Sequence, residues 1–284
     1  MAYLGADLTD KVAVVTGGSG VLGREFCLAL LKAGAKVAIL GIDEKMGEEA
    51  VAYLNEQGYD QVKSIECDVL NKEKIEAARL EVNNAFGTCD ILINAAGGNH
   101  PKGTTSKEFY ESGDETSSDD ITSFFDLDVK GIDFVFALNY MGTLLPSQVF
   151  GQDMVDKEVA SIINISSMNA FTPLTKIPAY SGAKAAVNNF TQWLAVHFAN
   201  TNIRVNAIAP GFFETAQNKA LLRNEDGTYS ERANKILVNT PKGRFGKPEE
   251  LLGTLMFLTN NQASGFITGV VIPIDGGFNA YSGV

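Results

Sequence analysis

Tyr180 and Lys184 stand four residues apart in the run Tyr180-Ser181-Gly182-Ala183-Lys184. On a helix that spacing puts both side chains on one face, one turn apart, with the ammonium beside the phenol. A neighbouring cation favours the phenolate, so the tyrosine pKa is expected to fall from about 10 towards the range of a general acid/base. The spacing alone carries little, because Tyr59 and Lys63 repeat it with no other chemical signal nearby. The surroundings of Tyr180 carry more: the apolar run from Ala160 to Ile165 reads as a buried strand, Ser166 and Ser167 follow it, and Ser167 precedes Tyr180 by thirteen residues. A hydroxyl at the C-terminal end of a strand lies where ligands of open α/β sheets bind.

The elements needed to position such a group can be read from the N-terminal side. From Lys11 an apolar strand pattern runs into Thr16-Gly17-Gly18-Ser19-Gly20-Val21-Leu22-Gly23, and a helical period follows from Arg24 to Ala33. A glycine turn between strand and helix lets backbone amides approach a pyrophosphate, with the helix N-terminus supplying partial positive charge. It also serves as a plain tight connection. A P-loop is ruled out because no Gly-Lys-Ser/Thr closes the turn. A second strand is expected at Lys36 to Leu40 and a helix at about Lys45 to Glu56, which completes a βαβ unit. Where an acidic residue would normally meet the adenosine ribose stands Gly41, followed by Ile42 and Asp43. Asp43 either reaches that ribose or caps the next helix. With no cation at 41 or 42, and with Asp43 and Glu44 to repel a 2′-phosphate, the pattern favours NAD over NADP, leaving NADP open.

A third strand, about Val62 to Cys67, ends in Asp68-Val69, where Asp68 either accepts from an adenine amino group or caps the helix beginning near Asn71. A fourth, Ile91 to Asn94, runs into Ala95-Ala96-Gly97-Gly98, small residues that let backbone lie flat against a cofactor. The alternation predicts an α/β fold: a single Rossmann-type, doubly wound parallel sheet with helices on both faces, spanning residues 1–284 as one domain.

Composition sets the limits. A chain of 284 residues with 45% hydrophobic residues and 28 glycines suits one such domain. A formal charge of −11 gives no reason to expect nucleic acid or an anionic membrane as partner. Cys27, Cys67 and Cys89 lie in apolar stretches without metal-ligand spacing, so buried free thiols, a reducing compartment and no metal are expected. The N-terminus lacks a basic leader, and no apolar run approaches a membrane span, so the expectation is a cytoplasmic protein.

Taken in order, Thr16-Gly17 with Gly23, Asp68, Asn94-Ala95-Ala96-Gly97, Asn139, Ser167, Tyr180 with Lys184, Pro210-Gly211 with Thr215, and Asp275-Gly276-Gly277 resemble the short-chain dehydrogenase/reductase family from about Asp10 onward. That resemblance implies that Tyr180 donates or accepts the proton and that Lys184 binds the nicotinamide ribose and lowers the tyrosine pKa. It implies that Ser167 orients the substrate oxygen and that Asn139 holds a water linking Lys184 to solvent. The residues expected to hold the cofactor are Thr16, Gly17, Ser19, Gly20, Val21, Leu22, Gly23, Asp43, Asp68, Val69, Asn94, Ala95, Ala96, Gly97, Tyr180, Lys184, Pro210, Gly211, Phe213 and Thr215. Val21, where the family usually has glycine, and Gly41 depart from the pattern. A cofactor-binding protein without catalysis would have no need of Ser167, Tyr180, Lys184 and Asn139 together.

Longer matches, including Gly97 to Pro101, Ser166 to Pro178 and Gln192 to Phe198, are similar to the family's bacterial D-mannonate oxidoreductases (fructuronate reductases). A small sugar-acid substrate and a homotetramer are implied, with related sugar-acid or polyol dehydrogenases such as gluconate 5-dehydrogenase as neighbours. Between Asn94 and Asn139 lie 44 residues, longer than the family's usual interval, so an insertion is expected at about 99–122. Its acidic run from Ser112 to Asp120 reads as a solvated loop. Asn99, His100 and, beyond Ser167, Asn169 are expected to touch substrate, although His100 could instead bond only its own backbone. His197, within an apolar helix, reads as structural, and Lys176 as solvated or substrate-facing. A lid is expected at about 212–244, whose Asn218, Lys219, Arg223, Arg232 and Lys235 include candidate partners for a substrate carboxylate. The tail from Phe278 to Val284 is expected to pack on a neighbouring subunit.

Overall fold

Every residue of strand β1 (Val12–Thr16) is buried, and the two sides of that strand feed two different cores. Ala13 and Val15 point into one, Val12 and Val14 into the other, as the two-residue period of a strand requires. A strand covered on both faces must be apolar throughout rather than alternating, which is the pattern seen in the sequence. The computed structural model describes residues 5–114, 121–215 and 218–283. It contains a seven-stranded, wholly parallel sheet in the order β3-β2-β1-β4-β5-β6-β7. The other strands are β2 (Lys36–Gly41), β3 (Val62–Glu66), β4 (Ile91–Asn94), β5 (Ala160–Ile165), β6 (Ile203–Pro210) and β7 (Val271–Ile274).

The chain builds outward from β1 to β3, then returns to lay β4 on the opposite side of β1. That reversal opens a crevice at the C-terminal ends of β1 and β4. Thr16 is level with Asn94, and Asn94 with Asn164. On one face pack α1 (Val21–Lys32), α2 (Glu44–Glu56) and α9 (Leu252–Thr259), through Phe26, Leu30, Leu54, Leu255 and Leu258. On the other pack α3 (Lys72–Ala85), α5 (Gly142–Met154) and α6 (Pro178–His197), through Ile75, Val82, Val149, Phe150, Met154, Phe190 and Leu194. The doubly wound arrangement expected from the alternating pattern is therefore present.

Caps set several helix starts. Asp43 accepts from Met46 N at the start of α2, and Asn71 from Lys74 N at the start of α3. The cap that the sequence offered to Asp68 is thus supplied by Asn71. Helix α6 begins at Pro178, two residues before Tyr180, because proline's fixed φ suits the first helical turn.

Between β4 and β5, helix α4 (Val129–Phe136) passes through a π-turn (Ala137–Met141) into α5. The insertion is more ordered at its base than a plain solvated loop. Pro101–Gly103 forms a 3₁₀ turn, Ser106 N donates to Thr122 O, Thr122 N to Ser106 Oγ, and Thr105 N to Lys176 O. Residues 115–120 of the acidic run lie outside the described residues. After β6 come the short helices α7 (Lys219–Leu222) and α8 (Glu231–Val238), held around a small core of Leu222, Ala233, Ile236 and Phe245. The last short helix is α10 (Asn261–Ser264).

All three cysteines are free and buried; burial pushes the thiols of Cys27 and Cys89 far up and that of Cys67 to about 11. No helix among the described residues is long and apolar enough to cross a membrane.

Candidate active site

A cavity of about 780 Å³ runs along the C-terminal ends of the strands. One end is bounded by Asp43, Met46 and Asp68, the middle by the turn after β1 and by Ala95 to Gly97, the other end by Ser167, Tyr180, Lys184, Phe212 and Leu221. The turn is shaped by its glycines. Gly17 has φ +64, and a Cβ there would sit 3.0 Å from the Ala96 backbone. A Cβ at Gly23 would sit 2.2 Å from Gly17 O, so helix α1 could not approach the turn with any side chain at that position. Gly20 caps α1 and Val21 is simply its first residue, which explains why the glycine expected there is dispensable. Gly41, the other departure, faces Ser19: a Cβ would lie 3.2 Å from Ser19 Oγ.

The expected cofactor residues separate into two layers. Gly17, Ser19, Gly20, Val21, Leu22, Gly23, Asp43, Asp68, Val69, Ala95, Ala96, Gly97, Tyr180, Lys184, Pro210, Gly211, Phe213 and Thr215 all line the cavity. Thr16 and Asn94 do not; they lie beneath it. Thr16 Oγ1 accepts from both Ala95 N and Ala96 N at 3.1 Å, while the Asn94 amide donates to Ser147 Oγ and Asn164 Oδ1 at 2.9 Å. Asp43 uses one carboxylate oxygen for its helix cap, and Asp68 uses Oδ1 for Leu70 N, leaving each a second oxygen. Gly211 permits the tightest approach on the far wall, since a Cβ would fall 2.5 Å from Asp275 Cα.

At the chemical end, β5 delivers Ser166 and Ser167, and α6 delivers Tyr180 and Lys184 one turn apart. The Ser167 hydroxyl lies beside the Tyr180 phenol and accepts from Asn169 N at 3.2 Å. Lys184 Nζ donates to Ile165 O at 2.8 Å and stands 5.7 Å from the centre of the Tyr180 ring. Loss of hydration raises the Tyr180 pKa, with the neighbouring Ser167 hydroxyl pulling it back, and lowers that of Lys184 to about 8. This corrects the direction expected from spacing: burial takes both groups out of water, and that decides the direction at Tyr180.

Asn139 is fully buried behind the cavity wall. Its amide donates to Gly98 O and Val135 O at 2.7 Å, and its Oδ1 accepts from Gly98 N at 3.2 Å. Asn99, His100 and Asn169 are not in the lining. Asn99 bonds Thr104, and His100 Nδ1 accepts from Lys102 N while its ring meets Phe134 edge-on at 5.3 Å. That is the backbone-bonding alternative for His100, stabilised by the 3₁₀ turn it starts. His197 is stacked on Trp193 at 4.9 Å on the outer side of α6. Sequence reasoning did not single out Leu138, Ser166 or Met46 in the wall, whereas Phe212 and Leu221 fall within the expected lid. Ser166 had a signal, the serine doublet; the others carry apolar side chains no different in type from core residues.

The glycine positions that a Cβ would close, two acidic residues at one end and a hydroxyl, phenol and ammonium at the other fit a dinucleotide redox cofactor. Fold and site together define a Rossmann-type oxidoreductase. A family model of short chain dehydrogenases matches residues 11–226, and the chain belongs to that family. An uncharacterized oxidoreductase of Haemophilus influenzae is 53% identical over 98% of this chain and 96% of its own length. The 5-keto-D-gluconate 5-reductase of Escherichia coli K12 is 32% identical over 95% and 96%. Among solved structures, a candidate D-mannonate oxidoreductase from Haemophilus influenzae with bound NAD superposes with a TM-score of 0.93, at 53% identity and 98% coverage of both chains.

Proposed function

We propose that this protein interconverts D-fructuronate and D-mannonate with NAD(H), Tyr180 acting as general acid and base. The observation that carries the reading is the meeting of Ser167, Tyr180 and Lys184 at one end of a cavity whose other end holds Asp43 and Asp68. The glycine turn would hold the pyrophosphate, Asp43 the adenosine ribose, and Tyr180 and Lys184 the nicotinamide ribose. The carboxylate of Asp43 at that position favours NAD over NADP by charge repulsion of a 2′-phosphate. When bound, the cofactor supplies the hydride to the ketone carbon, or accepts it in the reverse direction.

In reduction, Tyr180 transfers its proton to the ketone oxygen as the π pair moves onto that oxygen, and solvent then reprotonates the phenolate. Ser167 donates to the developing alkoxide, where stabilisation counts most. The Lys184 ammonium favours the transient phenolate through its charge. Asn139 fixes the Gly97–Gly98 wall beside these groups. A substrate carboxylate needs a cation, and the ion pairs narrow the choice. Arg223 is held by Glu214 and Lys235 by Glu108, whereas Lys176, Lys219 and Arg232 form no ion pair among the described residues. The proposal also places the enzyme in the cytoplasm as a homotetramer, for which exposed Trp193 and Val196 on α6 supply an apolar contact strip.

A second reading, reduction of 5-keto-D-gluconate, is favoured by the 32% identity to the Escherichia coli reductase. Cofactor consumption with NADH and NADPH, on D-fructuronate, 5-keto-D-gluconate and fructose, separates the two. Fastest turnover of fructuronate with NADH is expected; fastest turnover of 5-keto-D-gluconate would replace the first reading by the second. The variant Tyr180→Phe is expected to lose turnover by a factor of at least about 10² while NADH affinity, measured by fluorescence, stays nearly unchanged. Equal loss of both would remove the proton-transfer role.

A further inference from the structure

A line of buried hydrogen bonds enters the site from the interior. Thr191 on α6 accepts from Asn164 Nδ2 at 2.9 Å, and Asn164 Oδ1 accepts from Asn94 Nδ2 at 2.9 Å. Asn94 Nδ2 also donates to Ser147 Oγ at 2.9 Å, Ser147 Oγ to Thr143 O at 2.8 Å, and Thr143 Oγ1 to Asn139 O at 2.8 Å. None of these six residues is more than 2% exposed. The line therefore joins β4, β5, α5 and α6 to the π-turn, with no water needed to complete it.

Its last link falls at a mechanically weak place. A π-turn widens the spiral by one residue, and such turns gather at functional sites. Here the Asn139 carbonyl is held by a side-chain hydroxyl from Thr143, one turn further along. The side chain of the same Asn139 makes two bonds to Gly98, one in each direction. A Cβ on Gly97 would lie 2.7 Å from Asn139 Oδ1 and 3.1 Å from Lys184 Nζ, so all three groups meet at one point of the cavity wall.

Resting on the oxidoreductase reading, we infer that Thr143 is a positioning residue. Its hydroxyl holds the π-turn in the register at which Asn139 clasps Gly98 and keeps the Gly97 backbone against Lys184. Valine matches threonine in shape and lacks the donor, so the Asn139 carbonyl loses its side-chain partner.

The test compares Thr143→Val and Thr143→Ser in the full-length protein. Exchange of the Gly98 amide, which donates to Asn139, is measured without cofactor. NADH binding is measured by fluorescence, and kcat against pH with whichever ketone the wild type turns over fastest. Thr143→Val is expected to speed Gly98 exchange and lower kcat by about tenfold each, the size of one lost buried hydrogen bond. The pH midpoint of kcat is expected to shift, NADH affinity to stay within about threefold, and Thr143→Ser to restore all readouts. A folded Thr143→Val with unchanged Gly98 exchange and unchanged kcat profile would overturn the inference, as would failure of serine to rescue. Should valine prevent folding, Thr143→Ala carries the same readouts. If the wild type reduces no ketone tested, Gly98 exchange still decides the positioning claim, and only the functional reading falls.

Discussion

Lys184 is held by one backbone carbonyl in a place where its charge is poorly hydrated, and its pKa falls from 10.5 to about 8. The sign of the linked stability follows. Below about pH 8 the lysine is protonated folded and unfolded, and the fold carries the full cost of burying the charge. Between about 8 and 10.5 the folded state sheds the proton first, so that cost shrinks as pH rises. The buried thiols act the other way above pH 9, because the folded state resists their ionisation. The difference between wild type and Lys184→Met isolates the lysine. Urea unfolding at about pH 7 and about pH 10 is expected to show wild type gaining on the variant by up to roughly 3 kcal/mol. A pH-independent difference would show that the ammonium is well solvated in the fold. The residues of this site were legible as types and spacings, since the serine, phenol and ammonium lie within one strand-to-helix connection. Their protonation was not, because spacing records which groups are neighbours and says nothing of the water they lose. The Asn139 clasp on Gly98, across 41 positions, likewise required the folded chain.

The elements around the cavity divide into those that local rules specify and those that distant contacts specify. Asp43, Asn71 and Ser230 are side-chain caps; in the sequence Asp43 is offered as one, Asn71's place is offered to Asp68, and Ser230 lies within the lid without a helix start. The insertion is different. Its length and acidity suggested a solvated loop, yet Lys176, itself at φ +72, holds Thr105 through its carbonyl. Glu108 reaches Lys235 of α8 at 3.2 Å, so the insertion and the segment after β6 are joined by an ion pair across the substrate end. Neither contact leaves a periodic trace in sequence. With Lys235 57% and Glu108 32% exposed, the pair is worth at most about 1 kcal/mol after solvent screening. Glu108→Gln is therefore expected to raise the KM for the ketone up to about fivefold, with NADH affinity unchanged. Added salt should raise the wild-type KM towards that of the variant. Steady-state kinetics at two ionic strengths check this; a KM insensitive to both salt and substitution would show that the two segments move independently.

At the scale of the whole molecule, the fold rests on two cores separated by one sheet. Phe26 anchors the first and Phe150 the second, and neither is exposed. Each Phe→Ala substitution is expected to cost about 3–5 kcal/mol in denaturant unfolding, and the double variant close to their sum, because the sheet keeps the cavities apart. A marked shortfall from additivity would indicate that the two faces relax together. The parallel, twice-covered sheet could be anticipated from strands apolar along their whole length. The layering of the site could not: Thr16 and Asn94 look like cofactor ligands in order of sequence, yet lie one level below the cavity floor.

The burial of all three cysteines also has a practical side. With no native thiol at the surface and each resisting ionisation, a cysteine introduced on the exposed insertion would be the fastest alkylated in the chain. The wild-type background would serve for dye attachment without prior removal of native cysteines, so the distance between the two segments at the mouth of the site could be followed by energy transfer during turnover.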